Sequence, residues 1–479
     1  MKKILIANRG EIALRIIRAV QEHGLTAVGI YETPDKEARH IRRADEAIWL
    51  GEGPRKDYLN IDKIIWAARK SGADAIHPGY GFLAENPDFP KACEDAGLIF
   101  IGPPAKVIHA LGNKVIARTI AESAGVPVTP GSENLALGEK GEKRALAFAK
   151  EHGFPLMLKA TSGGGGRGIR KVNDKRELLE QIPLARAEAK AAFNDDRVYL
   201  EKGIKNPKHV EVQILADNFG NTIHMGTRDC SIQRRNQKLV EIAPALIPDK
   251  TLLNNVCEAA IKVAKEANYV NAGTVEFLVD EDGHFYFMEM NTRVQVEHTV
   301  TEMVTGTDIV RAQIDIAAGL KLQYKQKDIQ IRGHAIEMRI NAEDPKNNFL
   351  PEGGKTVTVY SSPGGPGIRL DGIVYQGYLI PQAYDSLLVK LTVHGFTWNQ
   401  AVERLRRALN GFVIMGPKTT IPFYLQIVNE PDFQNGIFTT SYLDLHPELL
   451  EYKEEDREVA KLAKLIATIH HKGFNPFAA

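Results

Sequence analysis

Cysteine and net charge are both scarce in this 479-residue chain, and each scarcity removes a class of protein from consideration. Three cysteines, Cys93, Cys230 and Cys257, are too few and too scattered for a disulfide framework or a CxxC metal site. That pattern suits a reducing cytoplasm, and Cys230, although it lies in a polar stretch, reads as a packed thiol rather than a nucleophile. Lysine and arginine total 61 against 60 acidic residues, a net charge of +1, which gives no electrostatic case for nucleic acid or an anionic membrane as partner. No apolar run approaches the roughly 20 residues that span a bilayer. The start MKKILIANRG carries no apolar signal core, so the chain reads as soluble and unsecreted. Asn8-Arg9-Gly10 lacks the GxGxxG glycines of a dinucleotide site.

What is present concentrates in Thr274 to His298, TVEFLVDEDGHFYFMEMNTRVQVEH. Two apolar-rich runs flank Asp282-Gly283, the residue pair of a tight β-hairpin. With those two as the turn, Glu281 opposes His284, Asp280 opposes Phe285 and Glu276 opposes Glu289. Opposed residues share a face, and two carboxylates with Cβ atoms roughly 5 Å apart repel unless a cation sits between them. A hard divalent metal is the simplest remedy. Asn291, Arg293, Gln295 and Glu297 share the parity of Glu289 and face the same side while the chain stays extended, leaving Tyr286, Met288 and Met290 for the core.

The length predicts two or three domains. At the front, KILIA, TAVGIY, DAIHP and IFIG are β-rich runs separated by helical Glu11 to Gly24 and Ile61 to Gly72, a rhythm that predicts a parallel sheet. Asn113 to Gly125 reads as a helix with Asn113 as N-cap. From Phe154 to Lys202 the pattern is strand, glycine loop, strand, helix, strand. In that loop Lys159 precedes Gly163, Gly164, Gly165 and Gly166, and no GK[ST] or helix follows, so it is not a Walker loop. Glycines let backbone N–H groups approach an anion and lysine adds a point charge, which points to a phosphate cover. A ligand-free glycine hairpin is the bland alternative. After Gly319 strands and Gly-Pro turns dominate, with a helix near Asn399 to Asn410.

Six motifs follow in order: ANRGEIALRIIRA at Ala7, HPGYGFLAEN at His77, GGGGRG at Gly163, RDCSIQRRNQK at Arg228, EMNTRVQVEH at Glu289 and RINAEDP at Arg339. Across residues 1 to about 446 the chain resembles biotin carboxylases of the ATP-grasp superfamily, in which these motifs occur in this order. The resemblance implies a fold of α/β and α+β class: an N-terminal parallel α/β domain over 1–112, an ATP-grasp domain over 113–319 with its lid at about 130–203, a C-terminal carboxylase domain over 333–446, and a helical tail over 447–479. It also implies a homodimer and a reaction in which ATP and bicarbonate form carboxyphosphate, which carboxylates biotin on a carrier protein.

Carried over position by position, the resemblance assigns Lys114, Lys159, His209 and the glycines Gly164, Gly165 and Gly166 to the nucleotide phosphates. Glu201, Lys202 and Ile204 flank the adenine, with Gln233 and Leu278 nearby. Glu276, Glu289 and Asn291 hold Mg²⁺ or Mn²⁺, in agreement with the hairpin register. Arg293, Gln295 and the Val296 backbone resemble a bicarbonate cradle, Glu297 the base that deprotonates bicarbonate, and Lys238 an active-site lysine. Arg339 resembles the cation that stabilises the biotin enolate, and Tyr80 the aromatic beside the ureido ring.

Two positions depart from the family pattern. Asn236 stands where histidine is common, and it keeps a donor and an acceptor but cannot take a proton. Ile169 replaces a methionine in the lid, a near volume-conserving change. No MKM-type biotinyl-lysine motif or carboxyltransferase segment is seen, so biotin is expected in trans, with a carrier and carboxyltransferase subunits as partners. In the tail, Val459, Leu462, Ala463, Ile466 and Ile469 fall on one helical stripe that docks either on its own body or on a partner. Such a tail resembles those of pyruvate or 2-oxoglutarate carboxylase subunits; an acetyl-CoA carboxylase subunit, or another ATP-grasp ligase joining carboxylate to amine, is the alternative.

Overall fold

The computed structural model describes residues 1–162 and 168–452. The lid glycines Gly163 to Gly166 and the helical stripe of the tail lie outside the described residues. At the front, the strands Lys3–Ile6, Thr26–Glu32, Glu46–Gly51, Ala75–His77 and Ile99–Phe100 form a five-stranded parallel sheet, with Lys3–Ile6 at its centre. The strand Glu46–Gly51 was not legible in sequence. It is an edge strand with Glu46, Ala47 and Trp49 exposed, so it lacks the apolar run that marks a central strand. The helix Ile61–Ser71 starts on Asn60, whose side chain accepts from Lys63 N–H, and ends at Gly72 with φ 67°. Asn113 caps Lys114–Ser123 in the same manner, as expected.

An eight-stranded sheet runs without a break from the central unit into the C-terminal unit. Its order is Phe285–Asn291, Asn271–Val279, Lys208–Ala216, Thr222–Asp229, Val240–Ala243, His334–Asn341, Leu387–Gly395 and Ile368–Gly372. Sharing one sheet makes the spacing between charged side chains of the two units a matter of strand register rather than of domain packing. A three-stranded antiparallel sheet, Ile169–Val172, Leu156–Ala160 and Val198–Lys202, packs its apolar face on the helices Glu139–His152 and Lys175–Phe193. Among the described residues, no helix is long and apolar enough to cross a membrane. Cys93, Cys230 and Cys257 are all buried and free.

Candidate active site

The hairpin that carries the paired glutamates has its predicted pairing but not its predicted turn. Glu276 lies opposite Glu289, yet Asp280 faces His284, and the loop is Glu281-Asp282-Gly283 with Gly283 at φ 81°. Asp280 N–H donates to His284 O at 2.9 Å, closing a three-residue loop whose left-handed third position needs glycine. That loop alone would slip the register by one. Met288 restores it as the extra residue of a bulge, since Phe277 pairs with Phe287 and Glu276 with Glu289. The core face is therefore Phe285, Phe287 and Met290, while Met288 and Glu289 both line the cavity. Of the expected core set, Met290 is in the core but Tyr286 and Met288 are not, because parity inverts at the bulge.

Register extends the pair into a row. Arg228, Glu211, Glu276 and Glu289 are successive cross-strand partners on four neighbouring strands. Arg228 is fully buried and spends its guanidinium on Glu211, on Gln213 at 2.8 Å, Thr301 and Thr274 at 3.0 Å each, and Gln295 at 2.6 Å. Lys238 Nζ bridges Glu211 at 2.6 Å, Glu276 at 2.8 Å and Glu297 at 2.8 Å. Burial opposes the ammonium charge, but the three carboxylates outweigh it and raise its pKa. Glu276 also accepts from Asn291 at 2.7 Å and Gln295 at 2.9 Å and meets His209 Nε2 at 2.7 Å. Burial works against its ionisation, yet Lys238 and His209 hold it well below the usual carboxylate range.

Glu289 is different. Among the described residues no hydrogen bond or ion pair reaches it, and burial and then Glu276 push it up. A carboxylate left over at the end of a charged row, opening on a cavity, fits a divalent cation held with Glu276 and Asn291.

Past Asn291 the chain leaves the extended conformation, contrary to expectation, and turns into the helix His298–Thr305. The polar side chains still converge. Arg293 donates to Asn291 at 3.0 Å and pairs with Glu85 at 3.1 Å, and Glu297 sits on Lys238 and, at 3.1 Å, on Arg339. Burial alone would raise the Glu297 pKa, but Lys238, Arg339 and Arg228 hold it down. Val296 O accepts from buried Lys390 at 2.8 Å, and Tyr80 donates to Glu11, which also faces Lys390 at 3.2 Å. Glu11, Tyr80, Lys238, Asn291, Arg293, Val296 and Glu297, with Lys114 and Arg339, line one cavity of about 620 Å³. Burial lowers the Lys114 pKa and Glu289 opposes that shift.

A second cavity, of about 590 Å³, shares Ile169, His209, Gln233 and Met288 with the first, so the two are halves of one cleft. Lys159, Glu201, Lys202, Ile204 and Leu278 line this half. Glu201 is tied to Lys159, to Tyr199 at 2.8 Å and to Thr129 at 3.2 Å. His209 joins the halves: its ring meets Glu276 on one side and Gln233 at 2.6 Å on the other.

Glu211, Arg228, Glu85 and Lys390 are site residues that sequence reasoning missed. For Glu211 a signal existed, since His209, Glu211 and Gln213 alternate with Val210, Val212 and Ile214, a polar parity inside a buried strand. Arg228 gave none, because its partners come from separate segments.

Comparison with known proteins gives this geometry a family. Residues 1–108 match the model for the N-terminal domain of biotin carboxylase, 113–325 that for the ATP-binding domain of the carbamoyl-phosphate synthase L chain, and 337–445 that for the biotin carboxylase C-terminal domain. The chain is 50% identical to the 2-oxoglutarate carboxylase small subunit of Hydrogenobacter thermophilus over 98% of its own length and 99% of the relative's. It is 49% identical to biotin carboxylase 1 of Bacillus subtilis over 93% and 99% respectively. Among solved structures, the biotin carboxylase domain dimer of the Hydrogenobacter 2-oxoglutarate carboxylase, in complex with MgADP, ADP and bicarbonate, matches with a TM-score of 0.91 at 50% identity, covering 95% of this chain and 99% of that one. A parallel N-terminal sheet, a cleft floored by a row of paired glutamates, and these matches end to end place the chain in the biotin carboxylase family.

Proposed function

We propose that the chain carboxylates biotin at the expense of ATP and bicarbonate, with biotin carried on a separate polypeptide. The observation that carries this reading is Lys238, whose one ammonium joins Glu276 to Glu297 inside the cavity that Arg339 also lines. We infer that the nucleotide lies in the half of the cleft lined by Glu201, Lys202, Ile204 and Leu278, with Lys114, Lys159, His209 and the lid glycines toward its phosphates. Glu276, Glu289 and Asn291 would hold Mg²⁺ or Mn²⁺, which would supply positive charge to the nucleotide phosphates.

Bicarbonate is read onto Arg293, Gln295 and the Val296 backbone, within reach of Glu297. Lys238 and Arg339 suppress the basicity of Glu297. Arriving anions compete for those cations, so Glu297 gains basicity as bicarbonate and phosphate bind, and it takes the bicarbonate proton as oxygen attacks the γ-phosphorus. ADP leaves and carboxyphosphate remains. Lys159 and Lys238 offset the charge that develops in this transfer, and the lid keeps water from the mixed anhydride. The carboxyl group then passes to the ureido nitrogen of biotin, whose proton leaves on the phosphate released, Arg339 stabilising the enolate form and Tyr80 flanking the ring.

We further infer units at 1–112, 113–319 and 333–446, a homodimer, a cytoplasmic setting, and a biotinylated carrier and carboxyltransferase as partners. Relatives of equal length that are themselves subunits support the partner reading, as does a dimeric relative for the homodimer. Pyruvate or 2-oxoglutarate is the first candidate for the final acceptor and acetyl-CoA the next. The similarity to the 2-oxoglutarate carboxylase subunit runs over 98% of the chain, beyond the 93% shared with the Bacillus biotin carboxylase. The test is ADP release with ATP, Mg²⁺ and free biotin, with and without bicarbonate. Release that ignores bicarbonate sinks the reading.

A further inference from the structure

Behind Arg339 lies a second carboxylate pair that the proposed reaction does not use. The strands Val240–Ala243 and His334–Asn341 place Glu241 directly opposite Glu337, and the next strand places Thr392 opposite Glu337. Both glutamates are fully buried. One guanidinium nitrogen serves this pair and the candidate base together: Arg339 Nη2 lies 2.5 Å from Glu241 Oε1 and 3.1 Å from Glu297 Oε2. Glu337 Oε2 accepts from the hydroxyls of Thr299 and, at 3.3 Å, Thr392. Glu241 Oε1 meets Arg339 as an ion pair, while Glu241 Oε2 and Glu337 Oε1 accept no hydrogen bond from any described residue.

The groups facing the pair cannot neutralise two charges. Arg339 is already shared with Glu297. Lys238 is committed to Glu211, Glu276 and Glu297, and Lys390 to Val296 O and Glu11. The Tyr424 hydroxyl points to Leu239 O at 3.2 Å and Arg339 O at 3.0 Å rather than to either carboxyl. Two ionised carboxylates opposed at about 5 Å in a dry interior, around a guanidinium that serves a third, are not sustainable. A single proton between them removes the repulsion.

We propose that Glu241 and Glu337 share one proton and act as positioning residues, holding Arg339 between Glu241 and Glu297 so that it remains available to the biotin side of the cavity. The inference rests on the reading of Glu297 and Arg339 given above. Burial first, and then the neighbouring carboxylates, push Glu241 up to about 8 and Glu337 up to about 7, against the pull of Arg339 and Lys390. With the proton lost, the pair carries two negative charges and draws Arg339 toward itself and away from the cavity.

The experiment follows bicarbonate-dependent ADP release and free-biotin carboxylation from neutral to alkaline pH in the wild type, Glu241→Gln, Glu337→Gln and the double variant, with infrared spectra of each. An amide imitates the protonated acid, so each single variant leaves one carboxylate with no like charge opposite it. Expected are an alkaline loss of carboxylation that moves up by about one pH unit or more in both single variants, an unchanged KM for ATP, and a protonated-carboxyl band of the wild type that either variant abolishes. The double variant, with no negative charge behind Arg339, lets it settle on Glu297 and lowers ADP release about tenfold at every pH. An alkaline limb unmoved in single variants that melt like the wild type, or a carboxyl band unchanged by both, overturns the proposal. If one single variant fails to fold, the other decides. A wild type without bicarbonate-dependent ADP release refutes the functional reading instead, and the infrared band still decides where the proton lies.

Discussion

At the scale of single residues, Glu297 and Arg339 touch each other, and the tasks proposed for them are separable. Replacing Glu297 by Gln keeps the shape and removes proton acceptance, so bicarbonate-dependent ADP release is expected to fall by about 10²-fold or more, while nucleotide binding, read by fluorescent-ADP titration, persists. Near-normal turnover rejects the base assignment. Arg339→Ala should behave otherwise, retaining part of the ATP cleavage and losing carboxyl transfer to biotin, as measured by labelled bicarbonate incorporation. Equal loss of both activities argues that Arg339 serves the first step. Most of these side chains were legible because they sit on one stretch of chain. Glu211 and Arg228 were not assigned because the row they complete is made by register between distant strands.

At the scale of elements, turn geometry decides what a substitution costs. Asn236, read in sequence as a departure that forfeits an imidazole, lies with Arg235 in the two-residue turn between Gln233–Arg234 and Gln237–Lys238, at φ 62° and 49° respectively. Two consecutive left-handed residues mark the hairpin turn that favours asparagine and glycine. Asn236→Val is therefore expected to destabilise by about 1–2 kcal/mol, and Asn236→Gly to cost little. Asn236→His should add a pH dependence near neutrality with modest change in rate. Thermal melts and a pH–rate profile of the three variants check this, and a valine variant as stable as the glycine one contradicts the turn argument. The hairpin that carries Glu276 and Glu289 teaches a related lesson. Its pairing was read correctly through two compensating errors, a loop one residue longer than expected and a bulge at Met288, because parity arguments count residues and cannot see where one is left unpaired.

At the scale of the whole molecule, Glu302 ties three parts of the chain together. It lies on the helix His298–Thr305 and meets Arg15 of the N-terminal unit at 3.0 Å and Arg369 of the C-terminal unit at 2.6 Å. Burial alone would raise its pKa, but Arg15 and Arg369 are among the groups that hold it well below the usual range. A carboxylate depressed in this way contributes stability that is fully present above its unfolded value, about pH 4, and is lost as pH falls through the folded value. Glu302→Gln should therefore lower stability by about 3–5 kcal/mol at neutral pH, with the gap to wild type closing in acid. Tm measured against pH tests the sign, and a gap independent of pH contradicts it. The partner reading belongs to this scale as well. The protein alone should carboxylate free biotin slowly, since free biotin lacks the positioning of a docked carrier. Adding the biotinylated partner should raise the rate steeply, and no increase argues against transfer in trans.

The sequence by itself determined the parallel front sheet, the capped helices, the two strands on either side of the glycine run and the concentration of metal and base candidates in Thr274 to His298, because hydrophobic periodicity, capping residues and turn residues are local and act within a few positions. Tertiary structure alone decided that two units share one sheet, that Arg228, Glu211, Glu276 and Glu289 form a row, and that Glu241 faces Glu337 behind Arg339. Those facts depend on the register of strands far apart in the chain. There a shift of one residue turns every side chain to the other face, and only packing of the whole selects among the registers.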